Sequence, residues 1–323
     1  MYRTEQTTLR DRARQFFDSV RNEVPSSLRS ENPIYLFPVG GFGEVTYTLT
    51  LSPNLRQINR VVLVMPQQLS WITKFFPNAF DFVVSYKSDY SNLVIELFDI
   101  SASRPDYPLV VRPDLIGDGR FCNVFVLGSD RINYAEVHAY LMGLPLAAPL
   151  IVPEVGRIVE ASGGVSEPSP NKLLVFHHAN TMPALPKELW LSLFEKLSDK
   201  GFHVEFDKFG GALDDRLPTR TVLGDDLMRL SSDYAYVVTL RSGLSDLIAS
   251  TFLNTKSCLI TLYNTLPNVN AHQRVLCKPG VSRTGIAIHQ IWKHEKFVDI
   301  EVASVEAGVQ SVLKAMDFLG KFT

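Results

Sequence analysis

The 323 residues are 46% hydrophobic and 20% charged, with a formal charge of −2. Such a chain is too apolar to be disordered, and its length suggests two domains of ordinary size. Its near-neutral balance gives no overall field toward nucleic acid, and Cys122, Cys258 and Cys277 are too few and too scattered for a disulfide framework or a zinc site.

The chain opens on MYRTEQTTLRDRARQFFDSV, which is charged and lacks the apolar core of about 7–15 residues that a signal peptide needs. No stretch approaches the roughly 18–20 apolar residues of a membrane span. A cytoplasmic protein is the expectation, with peripheral contact at the inner face of the membrane left open. Leu9, Phe16, Phe17 and Val20 fall on one side of a helix, so residues 1–30 read as a helical extension whose apolar side packs on the core, meets a partner or touches a membrane.

Short apolar runs follow: 34–39, 60–65, 81–86 and 121–127 in the first half, 172–177, 203–207, 234–240 and 258–262 in the second. Helix-period segments separate them, such as 187–200, which starts after Pro186 with Leu189, Leu193, Phe194 and Leu197 on one face. Strands apolar on both faces and alternating with helices predict an α/β fold with two parallel, Rossmann-like sheets. Between the halves, PLIVPEVGRIVEASGGVSEPSPNK, residues 149–172, mixes prolines, glycines and serines without period and reads as a connector. The expected division is 1–30, then a first domain over 31–160, a second over 161–300, and a C-terminal helix over 301–323.

Three segments carry polar groups at expected strand ends. In FPVGGFGEVTYTL, Gly40, Gly41 and Gly43 allow close backbone approach to a ligand, with Glu44 just behind them. The spacing lacks the third glycine of a dinucleotide fingerprint and the lysine of a P-loop. Glu44 suits a general base; it equally suits an acid favoured by about 0.3–1 kcal/mol in a helix first turn. In FHHANT, the adjacent His177 and His178 point to opposite strand faces and make a poor chelating pair, while His177, His178, Asn180 and Thr181 can hydrogen-bond a ligand or cap the loop. In LRSGLSD, Ser242 and Gly243 begin a helix whose N–H groups suit a phosphate, and Arg241 adds a cation, either for that ligand or for an ion pair. Asp225-Asp226 reads as a helix start rather than a metal motif, and no metal site is expected.

In order and spacing these blocks resemble the GT-B glycosyltransferases, in particular the lipopolysaccharide heptosyltransferase-like family, over about residues 34–265. Gly43-Glu44-Val45 stands in place of its glycine-aspartate-hydrophobic turn, NRVVLVMPQQLSWITKFFPNAFDFVV resembles its next strand and helix, and VHAYLMGLPLAAPLIVPE the end of its N-terminal domain. HHANTMPALPKELW matches its histidine-led strand end and Pro-initiated helix, and LRSGLSDLIAS occupies the place of its nucleotide turn. Departures exist: the family's acid is an aspartate, its cation before the Trp-Pro element is absent at Ala184-Leu185, Arg241 replaces an acid, and Asp246 falls where a histidine would be.

The resemblance implies two domains facing across a cleft, with Glu44 and Arg241 on opposite walls and the last helix returning to the first domain. It implies a nucleotide-sugar donor held by His177, His178, Asn180, Thr181, Arg241, Ser242, Gly243 and Asp246. A glycan or glycolipid acceptor would approach Gly40, Gly41 and Gly43, with Glu44 as base in an inverting, metal-independent transfer needing no cofactor beyond the donor. Competing readings are a sugar-nucleotide epimerase, a polysaccharide pyruvyltransferase or a non-catalytic sugar-nucleotide-binding protein.

Overall fold

The computed structural model describes residues 2–38, 41–87, 90–104, 108–111, 133–152, 168–179, 182–208, 211–228, 230–266 and 287–322. The chain forms two compact units, and Ile151 and Val152 stand on either side of their division. The boundary expected near residue 160 and the strand expected at 121–127 lie outside the described residues.

The first unit begins with helix α1 (Tyr2–Glu23). Ala13, Phe16, Phe17, Val20 and Val24 are buried with Tyr35, Phe37, Val62 and Val64 in one apolar cluster, against which Leu9 packs. A side chain as buried as Phe17 contributes about 1.5–3 kcal/mol, so the segment is bound to the core and is no loose arm. After a one-turn helix α2 (Ser26–Ser30) come β1 (Ile34–Leu36), helix α3 (Phe42–Arg56), β2 (Val61–Pro66), a 3-10 segment (Gln67–Phe75), β3 (Phe82–Tyr86), helix α4 (Ser91–Ser103) and β4 (Val110–Val111). The sheet runs β3-β2-β1-β4 with every pair parallel. β1 is therefore where the order reverses: the chain winds outward through β2 and β3 on one side, then adds β4 on the other.

Helix α3 is buried over most of its length although its sequence, TYTLTLS, alternates like a strand. Its hydroxyls are reconciled with burial by bonding back to the helix: Thr46 donates to the carbonyl of Phe42 at 2.6 Å and Thr48 to that of Glu44 at 2.7 Å. Ser52 reaches the carbonyl of Ala79 instead.

The second unit holds β5 (Ser169–Phe176), β6 (His203–Asp207), β7 (Thr219–Arg220), β8 (Tyr234–Leu240), β9 (Cys258–Asn264) and β10 (Phe297–Val302). All pairs are parallel in the order β10-β9-β8-β5-β6-β7. Counted from β5, this is 3-2-1-4-5-6 read from the β7 edge, the doubly wound Rossmann order, and its switch point lies between β5 and β8. β8 and β9 are buried at every position, which explains their unbroken apolar runs. In the helix Lys187–Asp199, Leu189, Trp190, Leu193 and Leu197 are buried, whereas Phe194 is half-buried and meets Phe206 at 6.4 Å.

β10 lies at 297–302, where no strand was expected, and its partly exposed residues reflect its place at the sheet edge. One expectation is corrected here. The last helix, Val305–Leu319, expected to return toward the first domain, packs on the second unit's own β10 and on the helix Lys187–Asp199; Gly308 approaches Val302 and Leu189 so closely that it has no room for a side chain. Among the described residues, no helix is long and apolar enough to cross a membrane.

Candidate functional site

Two strand-end constellations answer to the residues singled out in sequence, one in each unit. In the first, β1 is fully buried and delivers the chain to Gly41, the N-cap of α3, with φ −84° and ψ −160°. Glu44 is then the third residue of the helix and half-buried. Its Oε2 stands 3.6 Å from where a Cβ on Gly41 would lie, so the carboxylate folds back over the turn at the positive end of the helix. Gly43 is buried, and Gly40 lies outside the described residues. The acid thus sits at the carboxyl edge of the sheet, on the helix that leaves the strand where the order reverses.

In the second unit, β5 and β8 pair in register up to Phe176 opposite Thr239, so the residues that follow leave the sheet side by side. From β5 come His177 and His178. His177 is 8% exposed, edge-on to Trp190 at 6.5 Å and tilted against Phe206 at 6.5 Å. Its Nδ1 is buried with no hydrogen-bond partner among the described residues. Burial pushes its pKa below the ordinary histidine value, with the charge of His178 adding to the effect and Asp207 opposing it, so the ring is neutral at pH 7. His178 is half-exposed, and Asn180 and Thr181 lie outside the described residues.

From β8 come Arg241, Ser242 and Gly243. Ser242 is the N-cap of the helix Gly243–Phe252 in a reciprocal box with Ser245: each side chain bonds the other residue's backbone N–H. The helix start is held firmly at the switch point, with its dipole directed there.

Of the two readings open for Arg241, the structure shows an ion pair within its own turn. Its Nη1 donates to Oδ2 of Asp246 at 2.8 Å and its Nη2 to Oδ1 at 3.2 Å, with Arg241 6% and Asp246 1% exposed. Nη1 also donates to the carbonyl of Ser242 at 2.5 Å. The paired guanidinium braces the turn, with Asp246 as its counter-ion. Sequence reasoning allowed an ion pair for Arg241 without naming Asp246 as its partner, although a signal was present. Arg241 precedes the cap and Asp246 is the fourth helical residue, the two positions that meet in a hydrophobic staple; here an ion pair replaces the apolar contact.

Among the described residues, no group of three or more His, Cys, Asp or Glu side chains is arranged to hold a metal ion. No family model matches the sequence, and no curated protein matches it. Solved structures do. The ADP-heptose lipopolysaccharide heptosyltransferase II of E. coli is 14% identical, with a TM-score of 0.54 over 90% of this chain and 98% of that one. The glycosyl transferase family 9 protein from Veillonella parvula is 12% identical, with a TM-score of 0.55 over 90% and 97%. E. coli heptosyltransferase WaaC, solved with ADP, is 12% identical, with a TM-score of 0.51 over 90% and 99%. With its two parallel Rossmann-like sheets, the chain has the fold of the GT-B glycosyltransferases, and of the heptosyltransferases among them.

Proposed function

We propose that the chain is a glycosyltransferase that moves a sugar from a nucleotide-sugar donor to a hydroxyl of a cell-surface glycan or glycolipid. The observation that carries this reading is the placing of the chemical groups at the switch points. Glu44 follows the strand at which the first sheet reverses, and His177, His178, Ser242 and Gly243 follow the two strands that flank the reversal in the second. Ligands of open α/β sheets bind at such points, and the solved relatives are transferases, one of them holding ADP.

In the reaction, the Glu44 carboxylate takes the proton of the acceptor hydroxyl. The hydroxyl oxygen bonds to the anomeric carbon as the bond from that carbon to the donor phosphate breaks, with inversion, and the nucleoside diphosphate leaves with the electron pair. The N–H groups at the helix start after Ser242 stabilise the departing diphosphate, and neutral His177 offers a hydrogen bond. Arg241 and Asp246 hold the turn that presents those groups. The reading needs no metal and no cofactor beyond the donor, and a glycolipid acceptor would place the enzyme at the inner membrane face.

The test is a thermal-shift screen with ADP, GDP, UDP and CMP sugars, followed by a transfer assay with each stabilising donor. A ligand that binds only the native state raises the melting temperature by mass action. The reading expects at least one donor to do so and to yield labelled glycan. Epimerised nucleotide or incorporated pyruvate would assign one of the competing chemistries, and no response to any donor would remove the transferase.

A further inference from the structure

The carboxyl edge of the first sheet carries a second feature. β1 and β2 are parallel neighbours, so the segments leaving their ends emerge side by side. One is the start of α3, headed by Phe42; the other is Gln67–Phe75, with Trp71 at its centre. Phe42 and Trp71 meet edge to face, 6.0 Å between ring centroids at 62°, and both are partly exposed. Trp71 also meets the fully buried Phe75, at 5.7 Å and 67°.

The segment presents polar groups: Gln67 and Gln68 are exposed, the half-exposed Ser70 donates to the carbonyl of Gln67 at 2.8 Å, and Lys74 is exposed in its last turn. Glu44 stands two residues beyond Phe42. A sugar ring is matched to such a surface. Its C–H faces carry slight positive charge and lie against the negative face of an aromatic ring, while its hydroxyls both donate to and accept from amides and donate to a carboxylate. A phosphate would be repelled by the Glu44 carboxylate, and an apolar ligand would make no use of the exposed amides.

We propose that Phe42 and Trp71 are the stacking platform for the acceptor saccharide, the residues that select a sugar ring and orient its hydroxyl toward Glu44. The proposal rests on the transferase reading for the word acceptor, but its binding claim stands alone. Of the three tryptophans, Trp190 and Trp292 are 0% and 5% exposed and belong to the second unit, so Trp71 is the solvent-sensitive fluorophore.

The full-length chain, without donor, is titrated to high millimolar concentration with the methyl glycosides of glucose, galactose, mannose and N-acetylglucosamine, reading tryptophan emission. A saturable change with at least one glycoside is expected, absent in Trp71→Phe and about tenfold weaker in affinity in Phe42→Ala. No response to any of the four, or a response unchanged in both variants, overturns the platform. In the transfer assay, Trp71→Ala should raise the acceptor KM about tenfold while the thermal shift with donor stays as in the wild type. Saccharide binding without transfer would leave the platform and remove the transferase; transfer with an unchanged acceptor KM in Trp71→Ala would do the reverse.

Discussion

Arg241 and Asp246 face each other with the two terminal guanidinium nitrogens donating one to each carboxylate oxygen, in a place where neither residue is more than 6% exposed. Removing one partner therefore strands a buried charge. Asp246→Asn is expected to destabilise the second unit by roughly 3–5 kcal/mol, whereas the double variant Arg241→Met/Asp246→Leu should recover most of that loss, because two apolar groups leave no charge behind. Denaturant midpoints of the three proteins check this. A double variant as unstable as the single one would show that the pair contributes more than mutual neutralisation.

Glu44→Gln keeps the shape of the side chain and removes its basicity. Turnover should fall at least about a hundredfold while donor binding is retained. The structural cost should stay within about 1 kcal/mol, the size of a charge–dipole interaction in a first helical turn. Rates and melting curves on the same preparation separate the two effects: full activity would leave Glu44 as a helix-start acid only.

How much could be read from the sequence depended on where each signal originates. β5, β8 and β9 were legible because parallel strands buried on both faces need continuous apolar runs, and Leu189, Leu193 and Leu197 because their helix buries one face. Helix α3 was legible from the glycine turn and the acid at its start, not from its own period: its alternation resembles a strand, and its hydroxyls are satisfied only once the helix exists. The two-residue strands β4 and β7 are defined by their neighbours rather than by their own residues. In the candidate site, the glycine turn and the caps are local and could be placed. The Phe42–Trp71 contact joins segments that only strand pairing brings together, and the Arg241–Asp246 pair needs the helix start to be known to the residue.

Gly308 lies within the C-terminal helix, where exchanging glycine for alanine ordinarily gains about 1 kcal/mol. Here a Cβ would stand 2.9 Å from Cγ1 of Val302 and 3.0 Å from Cδ1 of Leu189. Overpacking of that kind costs roughly 1–3 kcal/mol, so Gly308→Ala should be neutral to destabilising despite its propensity. A rise in melting temperature for the variant would mean that the helix shifts outward freely and that its packing is looser than these distances indicate.

His177 and His289 should leave opposite marks on stability as pH changes. Burial lowers the pKa of His177, so the folded chain binds that proton less well than the unfolded chain; its share of stability is present above pH 6.5 and falls away as pH drops toward the folded value. His289 is raised by its hydrogen bond to Asp299, Nδ1 to Oδ2 at 2.5 Å, a carboxylate that also accepts from the backbone N–H groups of Ile288 and His289 and from Tyr263. Its contribution is present below pH 6.5 and is lost as pH rises through the raised value. Unfolding midpoints between pH 5 and 8 should therefore show His289→Gln costing most at the acid end, with the penalty shrinking toward pH 8. His177→Gln should flatten the acid-side loss seen in the wild type. Parallel pH profiles for wild type and both variants would mean that neither ring changes its proton affinity on folding.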